Sequence, residues 1–213
     1  MKADKKDYLL YAVTDRNWLK GETLYAQVEK ALKGGITFLQ LREKNLKHAS
    51  FLQEALEIKR LCADYEVPFI INDNVDVALA CNADGVHVGQ SDMEAGDVRK
   101  KLGPDKILGV SAHSVEEALL AESRGADYLG VGAAFQTGSK SDVNVIDHQI
   151  YKEICQAVNI PVVAIGGINK ENILQLSGNG LSGVAVISAI FANPDIEEAA
   201  RELRSLAEKV TAL

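Results

Sequence analysis

IINDNVDVALACNADGVHVGQSD, residues 70–92, runs in the order strand, turn, short helix, strand, loop. The apolar run Phe69-Ile70-Ile71 leads into Asn72-Asp73, and the run 85–89 leads into Gln90-Ser91-Asp92. Two short apolar runs with a helical segment between them read as a parallel β-α-β unit. In such a unit Asp73 and Asp92 follow the C-terminal ends of neighbouring strands and open onto the same end of the sheet. Two oxygen ligands there suit one hard cation, Mg²⁺ before others. Taken singly, each Asp reads more simply as a turn former or a helix N-cap.

Outward from this unit the alternation repeats. Strands are expected at 8–13, 36–41, 67–71, 85–89, 107–111, 128–132, 161–165 and 183–187. Helices are expected at 23–33, 49–65, 76–81, 94–102, 114–124, 147–157, 171–176 and 196–211. Gly34-Gly35 supplies a helix stop, and Ser114 with Glu117 a capping box. The strands are short, continuously apolar and rich in Val and Ile, as strands covered on both faces must be. Eight β-α units without a long linker predict an α/β fold, a single (β/α)8 TIM barrel spanning 1–213 as one domain, smaller than the usual size of about 250 residues. A doubly wound open sheet is the alternative. Against it, Thr14-Asp15-Arg16 stands after the first strand where a glycine-rich dinucleotide fingerprint would be.

Composition narrows the function. With 47% hydrophobic residues the chain can bury a sizeable core. A net charge of -7 argues against a nucleic-acid partner but leaves an anionic small substrate open. Cys62, Cys81 and Cys155 fit neither a zinc motif nor a closed disulfide set, and each falls in a helical stretch, so inert thiols and a reducing compartment are expected. Residues 1–7 are polar and charged, and the longest apolar run, 183–192, is interrupted by Ser188 and too short to span a bilayer. No membrane partner is expected, and a cytoplasmic location is. Homo-oligomer formation stays open.

Barrel active sites are built at the C-terminal ends of the strands. Those ends carry Gln40, Arg42 and Lys44, then Asn72 and Asp73, Asp92, Ser111, the loop Thr137-Gly138-Ser139-Lys140, Gly166-Gly167, and Ile187-Ser188. Arg42, Lys44 and Lys140 are ordinary surface cations one at a time. On one rim with two carboxylates able to hold Mg²⁺ they make a polyphosphate site, since Mg²⁺ binds through one or two carboxylates plus substrate phosphates. Glycines after the seventh strand and the loop after the eighth suit a second phosphate held by backbone N–H groups, although a tight closing turn explains the glycine pair equally well. Two phosphorylated small-molecule substrates follow from this reading. His87, inside a strand, reads as a satisfied barrel histidine. His113 lies near the rim, and His48 and His148 read as surface or capping residues.

The ordered set YAVTDR, QLREK (Gln40 to Lys44), IIND, ADGVHVGQSD, GVSAHS, ADYLGVG, TGSK, VVAIGGI and GVAVISAI resembles the thiamine phosphate synthase family over nearly the whole chain. The resemblance implies a TIM barrel transferase that condenses hydroxymethylpyrimidine pyrophosphate with a thiazole phosphate, releasing thiamine phosphate and pyrophosphate. It assigns Gln40, Arg42, Lys44, Asn72, Ser111 and Lys140 to the pyrimidine pyrophosphate. Thr137, Ser139, Gly167, Ile187 and Ser188 go to the thiazole phosphate, and Asp73 and Asp92 to Mg²⁺. Arg42, Lys44, Lys140 and Ser111 carry the catalytic role. Pyrophosphate leaves first in the implied reaction, and the thiazole nitrogen captures the pyrimidine-methyl cation. That nitrogen has no proton to lose, so no general base is required. The chain departs from the family after the sixth strand, where Ala133 and Gln136 stand for prolines and Ser139 for a threonine. Two rival readings share the fold. A thiazole tautomerase-like enzyme would carry a catalytic histidine where Ala133 and Ala134 stand, and a non-catalytic thiamine phosphate-binding protein would have lost cations or carboxylates from the rim.

Overall fold

The computed structural model describes residues 3–89, 95–137 and 145–212. Eight strands, β1 (Leu10–Val13), β2 (Phe38–Leu41), β3 (Phe69–Asn72), β4 (Gly85–Val88), β5 (Ile107–Ala112), β6 (Tyr128–Val131), β7 (Val162–Ile165) and β8 (Gly183–Val186), pair in parallel in chain order. β1 also pairs with β8, so the sheet closes into the expected barrel. Around it lie α1 (Leu24–Lys33), α2 (His48–Asp64), α3 (Val75–Ala80), α4 (Ala95–Leu102), α5 (Val115–Ser123), α6 (His148–Ala157), α7 (Ser188–Phe191) and α8 (Ile196–Thr211). No helix among the described residues is long and apolar enough to cross a membrane.

Side-chain caps fix where helices start. Thr23, Asn74, Ser114, Asp147 and Asp195 each accept a backbone N–H from the first turn that follows. The expected box at Ser114 forms by half. Ser114 Oγ accepts from Glu117 N at 3.3 Å, but the Glu117 carboxylate turns to the backbone N–H and ring of His113 instead. At the opposite end of the barrel a second device recurs. Thr37, Asp84 and Asp127, each just before an even-numbered strand, accept the N–H of Leu10, Phe69 and Leu108 from the strand before. These bonds satisfy strand starts that the parallel ladder leaves open and tie neighbouring strands where the chain enters them.

Two departures from the sequence expectation have local causes. Lys5–Tyr8 is a 3₁₀ turn, so β1 begins at Leu10, and the Tyr8 ring plugs the barrel against Phe38 and Tyr128 at centroid distances of 5.0 and 4.7 Å. The expected helix 171–176 is a 3₁₀ turn, Ile173–Leu176. Asn169 Oδ1 accepts from both Glu171 N and Asn172 N, and Asn172 Oδ1 accepts from Asn169 N. These side chains take the backbone donors that would start a longer helix.

The barrel interior is an aromatic and aliphatic stack of Tyr8, Tyr11, Phe38, Ile70, Ile107, Tyr128 and Val163. A Cβ on Gly109 would stand 2.2 Å from the Tyr128 ring, and one on Gly130 would stand 3.0 Å from the His87 ring. Two bare positions on β5 and β6 therefore make room for the two large polar rings beneath the rim. Cys62 and Cys81 are buried and Cys155 half-buried, all as free thiols. Burial raises the Cys62 thiol and pushes Cys155 up to about 11, so neither ionises near neutrality.

Candidate active site

The ends of β1 and β2 grip each other residue by residue. Thr14 Oγ1 accepts the backbone N–H of Arg42 at 3.0 Å, and Asp15 Oδ2 receives Arg42 Nη1 at 3.3 Å. Arg16 Nε lies 2.8 Å from the Glu43 carboxylate, and Arg16 Nη2 lies 2.5 Å from Glu54 Oε1 on α2. Arg42 is 8% exposed, so its guanidinium is held in place rather than solvated. Lys44 is exposed at the same rim. Sequence reasoning took Thr14-Asp15-Arg16 only as the lack of a glycine fingerprint. The signal it missed was reciprocal charge, Asp-Arg after β1 against Arg-Glu after β2.

A hydrogen-bond chain crosses the barrel under the rim. Gln40 Nε2 donates to Tyr11 Oη. Tyr11 Oη lies 2.9 Å from Tyr128 Oη, which lies 2.8 Å from His87 Nδ1. His87 Nε2 lies 3.0 Å from Ser111 Oγ. Two expected substrate residues on opposite strands, Gln40 and Ser111, are thereby joined through three rings. Tyr11 and Tyr128 are fully buried, and burial raises both phenols far above neutrality, so the chain is made of neutral hydroxyls. His87 is a structural histidine in the sense expected, but it reaches the site through Ser111. His113 is held by Glu117 at 2.9 Å, at the start of α5. His148, expected as a surface or capping residue, is the first residue of α6, next to its cap Asp147. It is half-buried, its Nε2 lies 3.2 Å from Ala134 O, and its ring meets Phe135 edge-on at 5.1 Å.

Asp73 sits directly after β3 with φ +60, a left-handed conformation that Asp tolerates better than most residues. Its N–H donates to His87 O at 2.8 Å, and Asn72 Nδ2 donates to its Oδ2 at 2.6 Å. Asn74 does the capping of α3, so the Asp73 carboxylate is left exposed on the rim rather than folded onto the helix. Asp92 lies outside the described residues. Among those described, no three His, Cys, Asp or Glu side chains gather as a metal cage. The donor set at Asp73, one carboxylate oriented by an amide, fits a hydrated Mg²⁺ that takes its other oxygens from water and substrate.

The loops after β6 and β7 are built into one another. Ala134 N donates to Ile165 O at 2.9 Å, and Phe135 N donates to Gly166 O at 3.0 Å. Gly167 has φ +66, and a Cβ there would stand 2.3 Å from Gln136 O. Asn172 Nδ2 holds Gly167 O at 2.9 Å. This seam leads directly to Thr137. Ser139 and Lys140 lie outside the described residues. After β8, Ile187 opens α7 and its carbonyl accepts from Ile190 and Phe191, leaving the N–H groups at Ser188 and Ala189 unused by the helix itself. Thr137, Gly167, Ile187 and Ser188 therefore stand on the β6-to-β8 side of the rim. Gln40, Arg42, Lys44, Asn72, Asp73 and Ser111 stand on the β2-to-β5 side.

Residues 10–190 match the family model described as thiamine monophosphate synthase. The thiamine-phosphate synthase of Clostridium acetobutylicum is 50% identical over 203 residues, covering 95% of this chain and 96% of that protein. That of Clostridium tetani is 52% identical over 197 residues, covering 92% of this chain and 94% of its own. The structure of thiamine phosphate pyrophosphorylase from Pyrococcus furiosus superposes with a TM-score of 0.90 at 40% identity, covering 97% of this chain and 98% of that one. A geranylgeranylglyceryl phosphate synthase from Thermoplasma acidophilum, at 16% identity and a TM-score of 0.69 over 97% of this chain and 94% of that one, shares the fold alone.

Proposed function

This chain belongs to the thiamine monophosphate synthase family and is an enzyme of thiamine biosynthesis, and from that premise we propose that it joins hydroxymethylpyrimidine pyrophosphate to a thiazole phosphate with Mg²⁺ held by Asp73 and Asp92. The observation that carries the division of labour is the separation of the rim into two sides. Cations and a carboxylate follow β2 and β3, whereas glycines follow β6 and β7 and the backbone N–H groups that open α7 follow β8.

On the first side Arg42 is fixed by Asp15 and Thr14, so its charge stands ready where negative charge grows on the departing pyrophosphate. Lys44 adds to it, and the family resemblance gives Lys140 the same partner. Bound Mg²⁺ supplies charge neutralisation to the same leaving group. Gln40 and Ser111 orient the pyrimidine end, each anchored through the tyrosine–histidine chain. On the second side Thr137, Ser139, Gly167, Ile187 and Ser188 hold the thiazole phosphate and bring its ring nitrogen to the pyrimidine methylene, the proximity contribution to rate. That nitrogen carries no proton, so no general base is needed, and His87, bonded to Tyr128 and Ser111, serves to orient Ser111.

The test is formation of thiamine phosphate from the two purified substrates with and without Mg²⁺, in wild type and Asp92→Ala. Mg²⁺-dependent product in the wild type and its loss in the variant are expected. Isomerisation of a carboxythiazole phosphate without condensation would replace this reading with the tautomerase one. Ligand binding without turnover would replace it with a sensor.

A further inference from the structure

We propose that Arg16, Glu43 and Glu54 form a positioning unit for the pyrophosphate-binding cations, in which one guanidinium bridges two carboxyls that hold a single proton between them. The inference rests on the assignment of Arg42 and Lys44 to the pyrophosphate and adds what keeps those two residues in place.

Glu43 lies between Arg42 and Lys44 in the chain, yet its side chain points inward and is 2% exposed. A glutamate in a rim loop is ordinarily solvated. Here it meets Arg16 from the turn after β1 and Glu54 from α2, so the loop is held from two elements. Arg16 touches both carboxyls, but one positive charge cannot balance two buried negative ones. Glu54 Oε2 is buried without a donor, and the two oxygens of Glu43 share a single Arg16 Nε–H at 2.8 Å. Nε and Nη2 are neighbouring nitrogens of one guanidinium, so the two carboxyls they hold are brought side by side. A proton retained between them brings the cluster to neutrality and supplies the missing donor. Burial pushes the Glu43 carboxyl up to about 7, with Arg16 opposing the shift and Glu54 adding to it, in keeping with such a pair. The neighbouring guanidinium of Arg42 is paired with Asp15 rather than with these carboxyls.

Loss of the proton to solvent leaves two carboxylates on one guanidinium. Glu43 is then repelled from Glu54, and the loop carrying Arg42 and Lys44 loosens. The consequence is selective. The Michaelis constant for the pyrimidine pyrophosphate rises with pH while that for the thiazole phosphate, bound on the other side of the rim, stays flat.

Glu54→Gln separates this from a merely structural ion pair. The amide donates a hydrogen bond that does not titrate, and Glu43 keeps Arg16 to itself. Below neutrality the variant is expected to stay within about threefold of wild type in kcat/KM. Above neutrality the wild type is expected to lose up to about tenfold per pH unit for the pyrimidine substrate, and the variant to lose none of it. Glu43→Ala, which removes the bridge, should raise that Michaelis constant at every pH, and Glu43→Gln should restore it. In parallel, ¹³C NMR of carboxyl-labelled glutamate should show one side chain titrating near neutrality in wild type and absent in Glu54→Gln. Superimposable pH profiles for wild type and Glu54→Gln, or no glutamate titrating above the ordinary carboxylate range, would overturn the proposal. A wild type that makes no thiamine phosphate overturns the functional reading instead, and the NMR titration then decides the proton-sharing pair by itself.

Discussion

Tyr128→Phe removes one oxygen and cuts the chain that joins Gln40 to Ser111, the two sides of the proposed pyrimidine site. The hydroxyl is fully buried and makes two contacts, to Tyr11 Oη at 2.9 Å and His87 Nδ1 at 2.8 Å. Its loss strands one buried group on each side, at about 1–1.5 kcal/mol apiece, or about 2–3 kcal/mol together. In a chain of this size that lowers Tm by roughly 5–10 °C. The catalytic effect adds to the thermodynamic one. His87 loses the contact that fixes its ring, so Ser111 and Gln40 are no longer oriented together. A misplacement costing about 1.4 kcal/mol in the transition state lowers kcat/KM for the pyrimidine pyrophosphate about tenfold. Tyr151→Phe is the control, because its equally buried hydroxyl makes one bond of 3.2 Å to Val131 O and belongs to no chain. It should cost about 1 kcal/mol and leave kcat/KM unchanged. Thermal unfolding and steady-state kinetics on both variants decide the matter. If Tyr128→Phe melts with wild type, or loses no more than Tyr151→Phe in either measurement, the hydrogen-bond chain has no role of the kind described.

Gly167→Ala places a Cβ against the carbonyls of Phe135 and Gln136 at a positive φ, costing at least about 1–2 kcal/mol of backbone strain. It should raise the Michaelis constant for the thiazole phosphate several-fold and leave that for the pyrimidine pyrophosphate near wild type, as read from two-substrate kinetics. Lys44→Ala and Asp73→Ala should do the reverse, lowering turnover more than they weaken thiazole phosphate binding by calorimetry, and equal loss of both would contradict the two-sided rim. Stability should also carry a pH signature from Glu43, whose folded carboxyl is raised from 4.5 to about 7. The folded state holds a proton that the unfolded chain releases, so this contribution is full below about 4.5 and is lost as pH rises through about 7. Urea midpoints for wild type and Glu54→Gln across that window should differ in slope, the variant being flatter.

The barrel was legible because its strands are buried on both faces. A run such as Val162–Ile165 admits no other reading than an interior strand once eight of its kind alternate with helices. The rim was legible because strand ends are fixed by the same pattern, so Asp73 and Gly167 fall where the fold puts them. What stayed hidden depends on pairing between segments far apart in sequence. Arg16 and Glu54 are 38 residues apart and meet only once β1 and α2 pack. The ring chain from Gln40 to Ser111 needs the register of five strands, and nothing in the local sequence around Tyr128 announces it. The turn at Ile173–Leu176 was misread because a local competition, Asn169 and Asn172 side chains against the helix ladder, outweighs the apolar spacing. Asp92, Ser139 and Lys140 keep their assignment by resemblance and lie outside the described residues.

The central claim is that pyrophosphate and Mg²⁺ occupy the β2-to-β5 side of the rim. A crystal soaked with Mg²⁺ and pyrophosphate tests it most directly. The expected result is a metal at about 2.0–2.1 Å from carboxylate oxygens of Asp73 and Asp92, with pyrophosphate oxygens completing its shell. Arg42 and Lys44 should lie on the same pyrophosphate. A pyrophosphate seated against Gly167 and Ser188, or a metal bound away from Asp73, would contradict it.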